Sequence, residues 1–297
     1  MTYSIVARDA VTGDMGVAVQ SHWFSVGTVV SWGEAGFGVV ATQANAEPAY
    51  GPRGLALMRA GVSATAALTA LVAADPGRER RQVAMLDVTG TVVAHTGEQC
   101  IADAGDAQAD GVSVQANMMR NTDVWPAMLD AFQRARGALD ERLLVALEAA
   151  EAAGGDIRGR QSAAMLIVRG SSSGQSWQDR TVDLRVDDSP DPIAELRRLV
   201  DVHRAYRHME VAESREFEGD MEGALTEYQQ ARALLRGNDE AAFWSAVMLA
   251  DIGRGAEGRG LFEEIVGREP GWAELLRRLP AAGLLRNGEK TVKRLLE

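Results

Sequence analysis

Thr2 stands directly behind the initiator methionine, and that position gives it chemical interest. Methionine is normally removed when the next residue is as small as threonine, which would leave Thr2 with a free α-amine. A threonine so placed carries nucleophile and base together, because an amine of pKa roughly 7.7–8.0 can take the hydroxyl proton near working pH. The plainer alternative is that Thr2 simply follows a start codon. Ser4 falls on the same strand face and is a second candidate nucleophile. It would need a separate base, and His22 is the only one close in sequence.

Polar side chains recur where predicted strands end. Gln20-Ser-His22, Thr42-Gln-Ala-Asn45, Gln115-Ala-Asn117 and Gly154-Gly-Asp-Ile-Arg-Gly-Arg-Gln-Ser162 are the clearest cases. Ordinary turn chemistry explains any one of them taken alone. If Thr2 attacks an amide carbonyl, the developing oxyanion needs preorganised donors, and Gln43, Asn45 and Asn117 are the expected ones. Asp156 and Arg158 bring a carboxylate and a guanidinium to one run-in, suited to orienting a substrate carboxylate or carboxamide. His22 beside Trp23 reads as a substrate-side residue or as a structural one, and His95 as packing within a strand.

Composition removes other classes of function. The 297-residue chain has a net charge of −11, which gives no basic stripe for nucleic acid. Cys100 is its single cysteine, so neither a disulfide framework nor a thiolate metal site is expected. The four histidines lack metal-ligand spacing, and no glycine-rich phosphate loop or GxSxG elbow occurs. No cofactor or metal is therefore expected. No run approaches the ~18 apolar residues of a membrane span, and no signal segment stands out, so a cytoplasmic protein is the expectation.

The elements that must position these groups come in two regimes. Residues 1–9, 15–20, 26–32 and 36–43 read as four short strands. Helices follow at 55–59 and 63–74, the second with Ser63 as N-cap. Residues 82–87 and 91–95 form a hairpin, 112–115 a further strand, and 122–134 and 139–152 two more helices. Strands at 163–168 and 181–186 complete the order sheet, helices, sheet, helices, sheet. That order predicts an α+β fold, a four-layer αββα sandwich of two antiparallel sheets between helical layers.

After Asp187-Asp-Ser-Pro-Asp-Pro192 the pattern is helical to the end. The expected organisation is a 1–192 domain, a linker helix over 193–207 and an all-α domain over 208–297. Gly219, Ala224, Tyr228 and Ala231 are answered by Gly253, Gly258, Phe262 and Ile265 at a period of about 34 residues, the period of tetratricopeptide repeats. Helix pairs at 209–219 with 222–235 and 240–253 with 257–266, and a cap at 272–279, follow from it. Phe243, Trp244, Leu275, Leu276 and Leu284 are apolar beyond what two repeats require. They either close the array's own core or face a partner, most simply a second copy in a homodimer.

The motifs Thr2-Tyr-Ser-Ile-Val-Ala-Arg-Asp9, Ala41-Thr-Gln-Ala44, Tyr50-Gly-Pro-Arg-Gly54, Ala153-Gly-Gly-Asp-Ile-Arg-Gly-Arg-Gln-Ser-Ala163 and Val182-Asp-Leu-Arg-Val-Asp-Asp188 resemble those of a bacterial family, domain of unknown function 1028 (DUF1028), grouped with the N-terminal-nucleophile (Ntn) hydrolases. The resemblance covers residues 1 to about 205. It departs at Ala116, where the family has glycine, around Asp103-Ala-Gly-Asp106, and at Ser189. Membership implies the αββα sandwich and an amide-cleaving ancestry with Thr2 as nucleophile. Tyr50 and Arg53 of the Tyr50-Gly-Pro-Arg-Gly54 motif then join His22, Asp156 and Arg158 as expected substrate contacts. The expected function is an Ntn-type amidohydrolase acting on a small amide or peptide-like substrate. The rival is a catalytically silent Ntn scaffold whose repeat tail binds a protein partner.

Overall fold

The protein is described by a computed structural model covering residues 2–235 and 237–297. Its chain divides into two compact units, Met1–Leu199 and Val200–Glu297. Among the described residues the first holds ten strands in two antiparallel sheets. β1 (Thr2–Arg8), β2 (Met15–Ser21), β7 (Gly105–Ala109), β8 (Val112–Asn117), β9 (Ser162–Val168) and β10 (Arg180–Val186) build a six-stranded sheet in the order β10-β9-β2-β1-β8-β7. β3 (Ser31–Glu34), β4 (Gly38–Ala44), β5 (Arg81–Asp87) and β6 (Val92–Thr96) build a four-stranded sheet in that order. Val6, Val17, Val19 and Leu166 from the first sheet and Val39, Ala41, Ala84 and Leu86 from the second share one buried core, so the sheets stack face to face.

Each outer face is covered by a helix pair. α2 (Tyr50–Arg59) and α3 (Ala64–Ala74) lie on the four-stranded sheet, where Leu55, Met58, Ala67 and Leu68 pack against Val40, Val83 and Met85. Ser63 caps α3 by accepting from the Ala66 amide. α4 (Val124–Arg134) and α5 (Leu139–Ala152) lie on the six-stranded sheet. The molecule is thus a mixed α/β structure with a helical C-terminal region, and no helix among the described residues is long and apolar enough to cross a membrane.

Two local expectations fail for physical reasons. Residues 26–32 do not form a strand: a one-turn helix α1 (Gly27–Val30) comes first. Val26 and Val30, four apart, are the buried hydrophobic side chains of that run, so its apolar pattern served one helical turn as readily as a strand. β7 was not expected, because Gly105-Asp-Ala-Gln-Ala109 has no β-branched residue. It forms as an edge, paired only with β8.

α6 (Pro192–Glu218) is one continuous helix, so the expected linker helix and first repeat helix are a single element. The second unit continues with α7 (Met221–Leu234), α8 (Glu240–Asp251), α9 (Gly255–Arg268), α10 (Gly271–Arg278) and α11 (Glu289–Leu296), the last not expected from sequence. Gly219 and Gly253 both end a helix in the left-handed conformation, φ 88° and 90°. Ala224, Tyr228 and Ala231 on α7 and Gly258, Phe262 and Ile265 on α9 are all buried. Phe243 and Leu276 are buried in the unit's own core with Phe262 and Ile265, which removes them from any partner-facing surface. Phe243 stacks on Trp272 at 4.9 Å.

A contrast of two leucines tests this packing. Leu276→Ala leaves a void in a closed core and is expected to cost about 2–4 kcal/mol in urea unfolding. Leu284→Ala, at a position 61% exposed, is expected to stay within about 0.5 kcal/mol of the parent.

Candidate functional site

The period of two along β1 sends Thr2, Ser4 and Val6 between the sheets and Tyr3 and Ile5 toward the helices. Both directions are anchored. Tyr3 donates its hydroxyl to Glu151 at the end of α5 (2.8 Å), and Glu151 also pairs with Arg160 (3.4 Å). Burial, and then the Glu151 carboxylate beside it, hold the Tyr3 phenol well above its usual pKa, so it stays a neutral donor.

Between the sheets lies a closed network of amides and hydroxyls. Ser4 donates to Gln43 Oε1 and accepts from Gln115 Nε2, both at 2.6 Å. Gln43 Nε2 donates to Gln82 Oε1 (2.8 Å), and Asn117 Nδ2 donates to the same oxygen (2.9 Å). Gln82 Nε2 reaches the Ala116 carbonyl (2.9 Å) and Thr96 Oγ1 (3.0 Å), which in turn donates to Asp106 (2.7 Å). The main-chain carbonyl of Thr2 accepts from both Gln43 and Asn117 at 3.3 Å. Thr2 Oγ1 donates to Ser21 Oγ at the end of β2 (3.1 Å).

These partners change the roles expected from sequence. Gln43 and Asn117 clamp the backbone of Thr2, and their amide protons are engaged there and on Gln82 rather than aimed at an open oxyanion position. Ser4 is sealed in the network with its proton on Gln43, so it has no base and no approach for a substrate. Asn45 is not brought into the site. It would share the inward phase of Gln43, but Ala44 adopts the left-handed conformation (φ 68°), breaks the pleat and turns Asn45 to solvent. Ala116 faces the helices with Tyr3, so its methyl group does not approach Thr2.

The loop after α5 closes this end of the sheet. Gly154 and Gly155 both have positive φ (126° and 58°), a backbone that glycine adopts without steric cost. They lead to Asp156, which is buried and accepts from the His22 amide (3.2 Å), the Arg158 amide (2.9 Å) and the Arg158 guanidinium (3.1 Å). Asp156 therefore holds His22 and Arg158 in place, while the Arg158 side chain keeps 30% exposure. His22 Nδ1 is buried with no hydrogen-bond partner among the described residues. Like Ala44, Met118 is left-handed (φ 56°), one residue beyond Asn117. Non-glycine residues in this region cost about 1–3 kcal/mol each and gather at functional sites.

Tyr50 and Arg53 lie apart from this network, at a separate pocket of about 210 Å³. Tyr50 donates to Asp75 (3.1 Å), which also accepts from Arg81 (2.9 Å). Burial pushes the Asp75 carboxyl up, but the bonds from Arg81, the Gly77 amide and Tyr50 outweigh it and leave it below its usual range. Another cavity, about 530 Å³ beside β3 and lined by Trp32, Arg59 and Arg185, holds none of the expected site residues. Among the described residues no group of three His, Cys, Asp or Glu could hold a metal. Gln82 was missed from sequence, although its phase matched Ala84 and Leu86 on the core face and a glutamine there was the available signal.

Gln82 is the hub that tests the network. Gln82→Leu keeps the volume but strips partners from two buried donors and is expected to cost roughly 2–5 kcal/mol in urea unfolding. The exposed Asn45→Ala is expected to change stability by less than about 0.5 kcal/mol.

Comparison with known proteins places this geometry in a family. No curated protein matches the chain. A crystal structure of the protein SPO2555 from Silicibacter pomeroyi, assigned to DUF1028, is similar at 32% identity and a TM-score of 0.61, over 67% of this chain and 87% of that one. The family model for a family of unknown function, DUF1028, matches residues 2–196, which spans both sheets, both helix pairs and the Thr2 network. The chain belongs to the DUF1028 family.

Proposed function

We propose that the family domain is an Ntn-type amidohydrolase with Thr2 as its nucleophile. The layer order helix–sheet–sheet–helix supports kinship with that superfamily. One observation carries the catalytic reading: Thr2 is fixed at the sheet end by two buried amides on its carbonyl, with its hydroxyl on Ser21. Met1 lies outside the described residues, and the reading requires its removal. The freed α-amine then takes the Thr2 hydroxyl proton as Oγ attacks the amide carbon. The C–N bond breaks with that proton passing to the leaving amine, and water cleaves the resulting ester to a carboxylic acid and free Thr2. His22 Nδ1, without a hydrogen-bond partner among the described residues, stands at the same strand end and is the group assigned to the oxyanion, and the Arg158 guanidinium, held on Asp156, is the group assigned to a substrate carboxylate.

A second reading has its own support. Gln43 and Asn117 spend their donors on Thr2's backbone, which suits a silent scaffold whose helical tail binds a protein partner or a second copy. The matching positions of α7 and α9, and of Gly219 and Gly253, support a tetratricopeptide-like tail for that role.

Intact mass and a β-lactone probe separate the readings. The hydrolase reading expects loss of one methionine and one covalent adduct on Thr2, absent in Thr2→Ala. It also expects Thr2→Ala to lower turnover of fluorogenic acyl-amides by at least ~10³-fold with an unchanged circular dichroism spectrum. Retained methionine with no adduct supports the scaffold.

A further inference from the structure

We propose that the end of the six-stranded sheet is a cleft for an extended apolar peptide, with Trp23 and Phe24 on one side of Thr2 and Ile101 and Ile157 on the other holding side chains that flank the scissile amide. The inference rests on the hydrolase reading of Thr2 and names its substrate class.

These four residues are among the large apolar side chains left in water: Trp23 is 60% exposed, Phe24 63%, Ile101 58% and Ile157 52%. They come from three separate loops, yet all three loops leave the same sheet end as Thr2. Trp23 and Phe24 follow Ser21, the partner of the Thr2 hydroxyl. Ile157 sits between Asp156 and Arg158, and its amide donates to the Met118 carbonyl (3.3 Å). The Ile101 carbonyl accepts from the Met118 amide (3.2 Å).

Their exposure is built rather than a sign of looseness. Ser162 Oγ donates to the Trp23 carbonyl and accepts from the Val26 amide. Ser25 is tied to Asp187 by its amide (2.9 Å) and its hydroxyl (2.6 Å), and is held left-handed at φ 52°. The backbone on either side of both aromatic residues is thus pinned while the side chains stay exposed.

Strand order sets the geometry. β1 lies between β2 and β8, the Trp23 carbonyl is fastened to the first residue of β9, and Ile157 is fastened just beyond β8. From β9 to β8 is three strand spacings, about 14 Å, with Thr2 between the two apolar edges. An extended chain of about four residues at 3.3–3.6 Å each covers that span. A small acyl amide would touch one edge and leave the other unused, whereas a peptide places an apolar side chain on each.

The test measures binding in the full-length Thr2→Ala variant, by anisotropy of two labelled, capped tetrapeptides, Leu-Ala-Ala-Leu and Ser-Ala-Ala-Ser. The leucine peptide is expected to bind at least tenfold more tightly. The Trp23→Ser/Phe24→Ser and Ile101→Ser/Ile157→Ser pairs are each expected to remove most of that preference, with unchanged thermal midpoints because all four sites are exposed. Equal affinity for the two peptides, no binding of either, or a preference untouched by the rim variants would overturn the proposal. So would a rim variant that halves the protein's solution mass, since the surface would then join two copies. Because Thr2→Ala cannot cleave, this outcome is independent of catalysis. Selective binding together with an absent β-lactone adduct in the parent sinks the hydrolase reading and leaves the peptide cleft standing.

Discussion

The hydrogen-bonded cluster of Gln43, Gln82, Gln115, Asn117 and Ser4 is the constraint on which the first unit depends. Two stacked antiparallel sheets need only apolar faces to associate, and apolar contact alone tolerates sliding. A buried amide does not, because each unmet donor or acceptor costs about 1–3 kcal/mol. Ser4 lies opposite Gln115 and Thr2 opposite Asn117 in one sheet, and Gln43 lies opposite Gln82 in the other. Each sheet therefore assembles its own polar pair, and the hydrogen bonds between sheets then fix their relative position. A slip of one residue in β1 would turn Thr2 and Ser4 toward the helices and Tyr3 into the network.

That register is also what gives Thr2 its surroundings. Its carbonyl is held from the opposite sheet by Gln43 and from its own sheet by Asn117, so the residue is located from two directions. The cost is borne at the strand ends, where Ala44 and Met118 take a conformation suited to glycine. Strain of this kind persists only where neighbouring contacts over-determine the backbone, and the amide cluster supplies them one residue earlier on each strand. The Tyr3–Glu151–Arg160 chain does the same from the helical side and fixes the loop that carries Asp156 and Arg158.

The helical unit obeys a different logic, local and repetitive. α7 and α9 bury the same small-and-aromatic series, and each is preceded by a left-handed glycine that ends the helix before it. Its core is closed by aromatic contacts of Phe243 with Trp244, Phe262 and Trp272, so Phe243, Trp244 and Leu276, which looked surplus to two repeats, are spent inside the unit, while Leu275 and Leu284 stay exposed.

By itself the sequence determined what local chemistry can decide. Alternating hydrophobicity marked most strands within a residue or two, Ser63 and the Gly154–Gly155 pair marked helix ends, and spaced motifs over residues 1 to about 205 pointed to the family whose model matches residues 2–196. It could not decide partners. Whether Gln43 faces a substrate or clamps the chain depends on Gln82 and Gln115, which are distant in sequence and meet it only in the fold, Gln82 from the neighbouring strand and Gln115 from the opposite sheet. Asn45 shares its strand phase yet lies outside, because one left-handed residue reverses direction, an outcome set by tertiary packing rather than by residue type. Val26 to Val30 became a helical turn and Gly105 to Ala109 a strand for the same reason: a short segment with weak preference takes the conformation its neighbours leave room for. Only the folded chain could show that the polar residues of four separate strands form one network around Thr2.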